Sequence, residues 1–591
     1  MIATQPANQS VMVGQSATFS VTATGTAPLA YQWQKNNANI TGATAASYTT
    51  PPTILADNGA TFRAVVTSSA GIVQSNAAIL TVAPVGASTG IDVTTYHNDV
   101  ARTGQNTKES QLTQANVNST AFGLLRNLSV DGKVDAQPLY LSQLSVAGTA
   151  HNVVFIATEH DSVYAFDADT GAQLWKVSLL GSGETTSDDR GCFQVSPEIG
   201  TTSTPVIDRS AGAHGILYVV AMSKNGSTYV QRLHALDVTT GAELESGPVT
   251  IQASYPGTGA NSSGGQVVFD PKQYKERAAL LLLNGVIYTS WASHCDHDPY
   301  TAWIMGYNQT TLAQTSVLNL TPNGHEGSIW QSGGGLSADP QGNIYLLMAN
   351  GTFETTLDVN GFPNQQDYGN GFVKLSTTGG NLKVADYFEM SNTVSESGMD
   401  ADLGSGGPMV LPDLNFGTAG ILNLAVGAGK DGNIYVVNRN NMGKFSPTAN
   451  NVYQEITGGV PSGVFGVPAY FNNMVYYCDR DSTLKSFSIV NGKLSTTPGH
   501  TGASFVYPGV LPSVSANGIS NGIVWAIENT GTAVLHAYVA SDLTQELYNS
   551  NQAAGGRDHF GAGNKFITPM IADGKVFAAT TNSVAVFGLL P

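Results

Sequence analysis

The 591-residue sequence predicts an all-β protein, a small β-sandwich followed by an eight-bladed β-propeller. The first observation behind this is a strand–turn–strand unit that recurs eight times. Equivalent strand ends fall at Asp167, Asp237, Asn308, Ser376, Asn438, Ser488, Val539 and Gly588. Their spacings of 70, 71, 68, 62, 50, 51 and 49 residues fit a period near 50 with insertions, the length of one four-stranded blade. The second is the near absence of helical periodicity. The third is composition: 66 Gly and only 11 % charged residues, against a typical ~25 %, describe a turn-rich chain. Its 41 % hydrophobic content is enough to fill a core.

The first 84 residues read as short alternating strands, as in ATFSVTAT (17–24), YQWQKN (31–36) and TFRAVVTSS (61–69). A Trp on an early strand (Trp33) and an Asp-x-Gly corner (Asp57, Gly59) resemble an immunoglobulin-like domain, which sets its boundaries at 1–84. Val21 and Ala64 stand at the usual disulfide positions, and Phe62 where a corner Tyr is common. The core is therefore expected to be an apolar plug around Trp33. A Pro/Gly/Ser stretch, VAPVGASTG (82–90), opens a linker and lead-in over 85–119. Its Gly86-x-Ser88-x-Gly90 is no hydrolase elbow, since no strand and helix flank it.

The propeller is expected over 120–591. Its clearest repeat, VVFIATEHDSVYAFDADTGAQLWKVSL (153–179), has a strand, a tight turn, a strand ending in Asp, an Asp-x-x-x-Gly turn and an outer strand. The last repeat stops without an outer strand. Residues 122–130, FGLLRNLSV, have outer-strand character and precede the first repeat, so they are expected to complete the last blade and close the ring.

A net charge of −17 argues against nucleic-acid binding, which wants a basic stripe. Cys192, Cys295 and Cys478 sit in no metal or redox spacing; one bridge between two loops with an odd thiol left over is compatible with them. No stretch is long and apolar enough for a membrane span. The start, MIATQPANQS, has no signal-peptide pattern, so the expectation of an extracellular or periplasmic protein rests on composition alone. A monomer with a small-molecule or polysaccharide ligand is expected.

Repeats reading YAFDADTGAQLW, eight in a ring, resemble the quinoprotein (PQQ) alcohol dehydrogenase-like superfamily over about residues 120–591. The resemblance implies PQQ and calcium as cofactors and assigns roles residue by residue. KDGNIYVVNRNNMG resembles the segment whose Lys or Arg reaches the quinone carbonyls, which places Lys430 there. Its Gly427-x-Gly429-x-x-Gly432 precedes a strand, not a helix, and is no dinucleotide fingerprint. In EGSIWQSGGGLSADPQGNIYLLMANGTF, Trp330 takes the place of the stacking floor and Asn350 that of a calcium ligand. SGMDADLGSGGP resembles the loop of the catalytic base, which falls on Asp400, with Asp402 the near alternative.

Two positions depart from the family. In WASHCDHDPYTAW, His294 stands on or near the family's calcium-binding Glu, with Asp296 beside it. His294, Asp296 and Asn350 are thus the candidate metal ligands, and an imidazole shifts such a site toward zinc, copper or iron. His297, His325 and Glu326 extend the candidate cluster, and Arg557-Asp558-His559 is a second polar loop. In RGCFQVSPEIG one Cys192 replaces adjacent cysteines, Glu198 appears where an Arg is expected, and Arg190 lies upstream, which predicts a more acidic pocket. Two functions follow: an oxidoreductase acting on an alcohol or sugar, or a cofactor-free propeller binding a glycan or protein. For the second, Trp291, Tyr300, Trp303 and Trp330 form an expected aromatic rim. The sharpest expectation is that His294, Trp330, Asn350, Asp400 and Lys430 line one pocket on one face, with Trp330 presenting a ring face to it.

Overall fold

The computed structural model describes residues 1–12, 16–83, 91–244, 246–415 and 420–591. The chain forms two compact units, 1–89 and 90–591. Much of the sequence expected as a linker, including Gly86, Ser88 and Gly90, lies outside the described residues.

In the first unit a sheet joins Gln9–Met12, Ala78–Ala83, Thr61–Ser68, Ala30–Lys35 and Ala38–Asn39, with Gly71–Gln74 on the side of Thr61–Ser68. Alternation places Phe62, Ala64 and Val66 inward, and Trp33 is fully buried among Phe19, Phe62, Val21 and Ala64. The Phe19 and Phe62 rings stack 4.5 Å apart. The indole N–H of Trp33 donates to the Ala45 carbonyl at 3.1 Å, so the buried ring leaves no orphan donor.

The second unit is built from antiparallel meanders. Eight sheets of four or five strands follow one another among its described residues. The first contains Leu139–Val146, Thr149–Ala157, Ser162–Asp167 and Gln173–Ser178, the order in which the chain runs. The sole α-helix among the described residues is Thr393–Gly398. The last sheet, Met570–Ala572, Lys575–Ala579 and Ser583–Leu589, takes its fourth strand from the start of the unit. Phe122–Ser129 pairs antiparallel with Ser583–Leu589, Phe122 opposite Leu589 and Ser129 opposite Ser583. Arg557 and Asp558 act on this joint. The guanidinium donates to the carbonyls of Ser119 and Phe122, and Asp558 accepts from the Leu124 N–H. That polar loop is therefore a clamp on the closing strand.

Residues 91–119, expected as a lead-in, belong to the second unit. Their backbone meets the first strands of the sheets in turn. Val93 bonds Tyr140, and the carbonyls of Thr94, Val100, Ala101, Thr103 and Gly104 accept from Ile207, Ala338, Val410, Tyr470 and Val514. Arg102, fully buried, donates to the Leu280 and Leu336 carbonyls, and Asn106 to that of Ile571. One short segment thus ties together all eight sheets, satisfying inner-edge groups that a bare ring would leave open.

Candidate functional site

A cavity of about 600 Å³ opens among the loops that lead into the sheets and the turns between their middle strands. The strand Tyr274–Lys275 pairs with Ala292–Ser293, which sets Lys275 and Arg277 in its wall. Trp330 comes from the loop into the fourth sheet. It is followed by Gln331 and Ser332 in the left-handed region (φ 44° and 49°), and the Ser332 hydroxyl donates to the Ser405 carbonyl at 2.7 Å. That turn holds the half-buried indole in the cavity wall. Asp400 follows the short helix Thr393–Gly398.

Lys430 sits in the turn between Leu424–Ala428 and Ile434–Asn438. A Cβ on Gly429 would meet the Asp402 carbonyl at 2.4 Å, so only glycine lets this turn approach the Asp400–Asp402 loop. The Lys430 N–H then bonds the Asp402 carbonyl at 2.8 Å. Its ammonium pairs with Asp400 Oδ1 and Asp402 Oδ1, each at 2.5 Å. It also stands over the Trp330 ring, 5.9 Å from the centroid. Burial draws the Lys430 ammonium down, but the carboxylates of Asp402 and Asp400 outweigh it and hold the pKa above the usual lysine value. Burial pushes the fully enclosed Asp402 carboxyl up to about 6, against the pull of Lys430.

Three of the five expected residues, Trp330, Asp400 and Lys430, line this cavity. Asn350 stands behind it: its Nδ2 donates to Asp400 Oδ1 at 2.7 Å, and its buried Oδ1 has no hydrogen bond. Asp296 lines the wall, accepting from the Tyr300 hydroxyl at 2.7 Å. His294 is not in the wall. It is 2 % exposed, and burial, Lys275 and Arg190 press its imidazole down to about 3. Lys275, Arg190 and Asp188 are the charged groups that act on it, and no hydrogen bond or ion pair joins His294, Asp296 and Asn350 among the described residues.

The expected acidic pocket is corrected. Lys275, Arg277, Lys430 and Arg480 line the cavity with only Asp296 and Asp400 opposed, a positive site on a negative chain. Glu198 is instead hydrogen-bonded to His160 at 3.1 Å and Thr186 at 2.7 Å, and Arg190 lies over the Tyr229 ring. Burial and Arg277 pull the Lys275 ammonium down to about 8. The aromatic rim is corrected too. Trp291, Tyr300 and Trp303 are fully buried against Phe269 and Tyr274, where their N–H groups find Gln231 and Tyr274. The aromatic wall is Trp330, Phe465, Tyr507 and Phe566, with the Phe465 and Phe566 rings each 6.2 Å from Trp330.

Sequence reasoning missed these last three rings and the cations around Lys430. The run Lys275-Glu276-Arg277 was a usable signal, being three consecutive charges in a chain with 11 % of them. Phe465, Tyr507 and Phe566 carried none. Cys192 and Cys295 form a disulfide across 103 residues, and Cys295 is in the cavity wall. Cys478 is the free, buried thiol.

A family model described as outer membrane protein assembly factor BamB, of the PQQ_2 repeat type, matches residues 132–285. No curated protein sequence matches the chain. Solved structures do. Quinohemoprotein alcohol dehydrogenase from Comamonas testosteroni is 14 % identical, with TM-score 0.55 over 84 % of this chain and 80 % of that one. Quinohemoprotein alcohol dehydrogenase ADHIIG from Pseudomonas putida HK5 is 13 % identical, with TM-score 0.54 over 84 % and 80 %. A europium-containing methanol dehydrogenase is 13 % identical, with TM-score 0.53 over 85 % and 98 %. Identities this low speak to architecture, and the architecture they share with this chain is the all-β propeller.

Proposed function

We propose that this protein is a quinoprotein-type oxidoreductase acting on an alcohol or sugar, with PQQ held on the Trp330 face of the cavity. The observation that carries the reading is the Lys430 ammonium, fixed over the Trp330 ring by Asp400 and Asp402 in a cation-lined cavity. The donor set suits the group. PQQ is flat and carries three carboxylates. The wall offers an indole to stack on and Lys275, Arg277 and Arg480 for anionic groups, beyond Lys430 itself. Of the roughly six to eight oxygens that calcium takes, Asp400 and Asn350, whose buried Oδ1 lacks a partner, would supply two. His294 has no part in this set.

When bound, PQQ supplies a two-electron acceptor. The chain supplies the rest. Trp330 orients the ring system, and Lys430 presents a positive N–H donor at the site. Asp400, two-thirds exposed, is placed to accept the proton of a substrate hydroxyl. Phe465 and Phe566 exclude water from the inner wall.

The same reading takes the first unit as an immunoglobulin-like module, the eight sheets as eight blades, and the location as periplasmic or extracellular. The Cys192–Cys295 disulfide supports an oxidising compartment. No helix among the described residues is long and apolar enough to cross a membrane. A second reading, cofactor-free binding of a partner protein, draws on the BamB-described match over 132–285. Incubation of the full chain with PQQ and Ca²⁺, followed by dye-linked oxidation of an alcohol and sugar panel, separates them. Substrate-dependent dye reduction is expected for the first; PQQ uptake in no metal would leave the second.

A further inference from the structure

We propose a divalent-metal site held by Asp298, His325 and Glu326 and suited to a borderline ion such as Zn²⁺. Among the described residues these three form the one grouping of His, Cys, Asp or Glu whose ligand atoms all lie within 4.8 Å of one another. His325 Nδ1 stands 3.9 Å from Asp298 Oδ2 and 3.8 Å from Glu326 Oε2. Ligands about 2.0–2.2 Å from a tetrahedral Zn²⁺ are roughly 3.4 Å apart, so the His325 imidazole is within about half an ångström of that spacing from each carboxylate, and all three ligand atoms lie within 4.8 Å of one another.

The donors come from two loops, and the fold pins the one that carries two of them. Asp298 lies between the middle strands of the third sheet, Val286–Ser290 and Trp303–Asn308. His325 and Glu326 lie in the loop into the fourth sheet. That loop is pinned on both sides. The Asn323 and Gly324 N–H groups donate to the buried Asp367 carboxylate, at 3.0 and 3.1 Å. The Gly327 N–H donates to the Asn350 carbonyl at 2.6 Å, and the Thr352 N–H to that of His325 at 3.0 Å. The three side chains are exposed or half-buried, so an ion has a path in and can keep water in its remaining positions.

The chemistry of the set selects the ion. Two carboxylates and one imidazole suit zinc-like ions better than calcium, which takes oxygen alone. Asp296 and Asp400 lie within electrostatic reach of Glu326, so the field around the site favours a cation. No part of this depends on PQQ.

The test is calorimetric titration of the chelator-treated full chain with Zn²⁺, repeated on H325Q, E326Q and, as a control histidine elsewhere, H160Q. The substituted side chains are not core, and circular dichroism checks the fold. One equivalent is expected to bind. Losing an outer partner of a metal ligand already weakens binding by about 10–100-fold, so H325Q and E326Q should each lose at least about tenfold while H160Q matches the parent. Absence of a 1:1 event, unchanged affinity in H325Q, or equal competition by Ca²⁺ would overturn the assignment.

Discussion

Lys430 shows how much a single residue can gather. The turn glycine brings it to Asp402, the two carboxylates hold it, and Trp330 lies beneath it. Both Trp330 and Lys430 were legible because short strings around them resemble a known pattern. The cations that reverse the expected charge of the cavity were missed: the run Lys275-Glu276-Arg277 stood out as charged, but no local pattern relates it to Arg480, which reaches the same cavity from a distant loop. Buried Glu276, between two of these cations, gives a prediction. Burial raises its carboxyl from 4.5 to about 8. Between those values the folded chain keeps a proton that the unfolded chain releases, so stability falls as pH rises through that window. E276Q has no such proton. Relative to the parent it should gain on the order of a few kcal/mol between pH 4.5 and pH 9. Urea unfolding of both proteins at the two pH values checks this; a pH-independent difference would contradict it.

The elements were the most readable level. Alternation and turn residues marked the strands, and the missing outer strand of the last repeat pointed to residues 122–130, which pair as Phe122–Ser129 with Ser583–Leu589. Phe122 anchors that joint. It is fully buried, 5.0 Å from Tyr548 edge-on and 5.4 Å from Trp525. Phe122→Ala should cost about 3–5 kcal/mol, read as a fall in the denaturation midpoint. A loss under about 1 kcal/mol would show that closure does not rest on this contact. Periodicity was less able to sort aromatic residues by direction. Trp291 and Trp303 sit beside a polar loop in sequence, yet their packing against Phe269 and their N–H partners hold them in the core.

At the scale of the whole molecule, the segment from Val93 to Asn106 was illegible as structure. Its strand content is two residues, Gln105–Asn106, and its order comes from distant N–H and carbonyl groups that no sequence window contains. Arg102 is its keystone, with donors to the carbonyls of Tyr96, Leu280 and Leu336 and to the Thr95 hydroxyl. Arg102→Leu leaves those acceptors buried and open, and should destabilise the unit by about 3–5 kcal/mol. Unfolding midpoints measure this; a neutral effect would mean that the sheets hold together without the segment.

The central claim, a PQQ site built on Trp330 and Lys430, is tested most directly by equilibrium dialysis of PQQ with Ca²⁺ against the parent chain, W330A and K430M. Stoichiometric uptake by the parent is expected, weakened at least about tenfold in each variant, since stacking on an aromatic ring and a charge-assisted hydrogen bond are each worth roughly 1–3 kcal/mol. No uptake by the folded parent, or equal uptake by all three proteins, would contradict it.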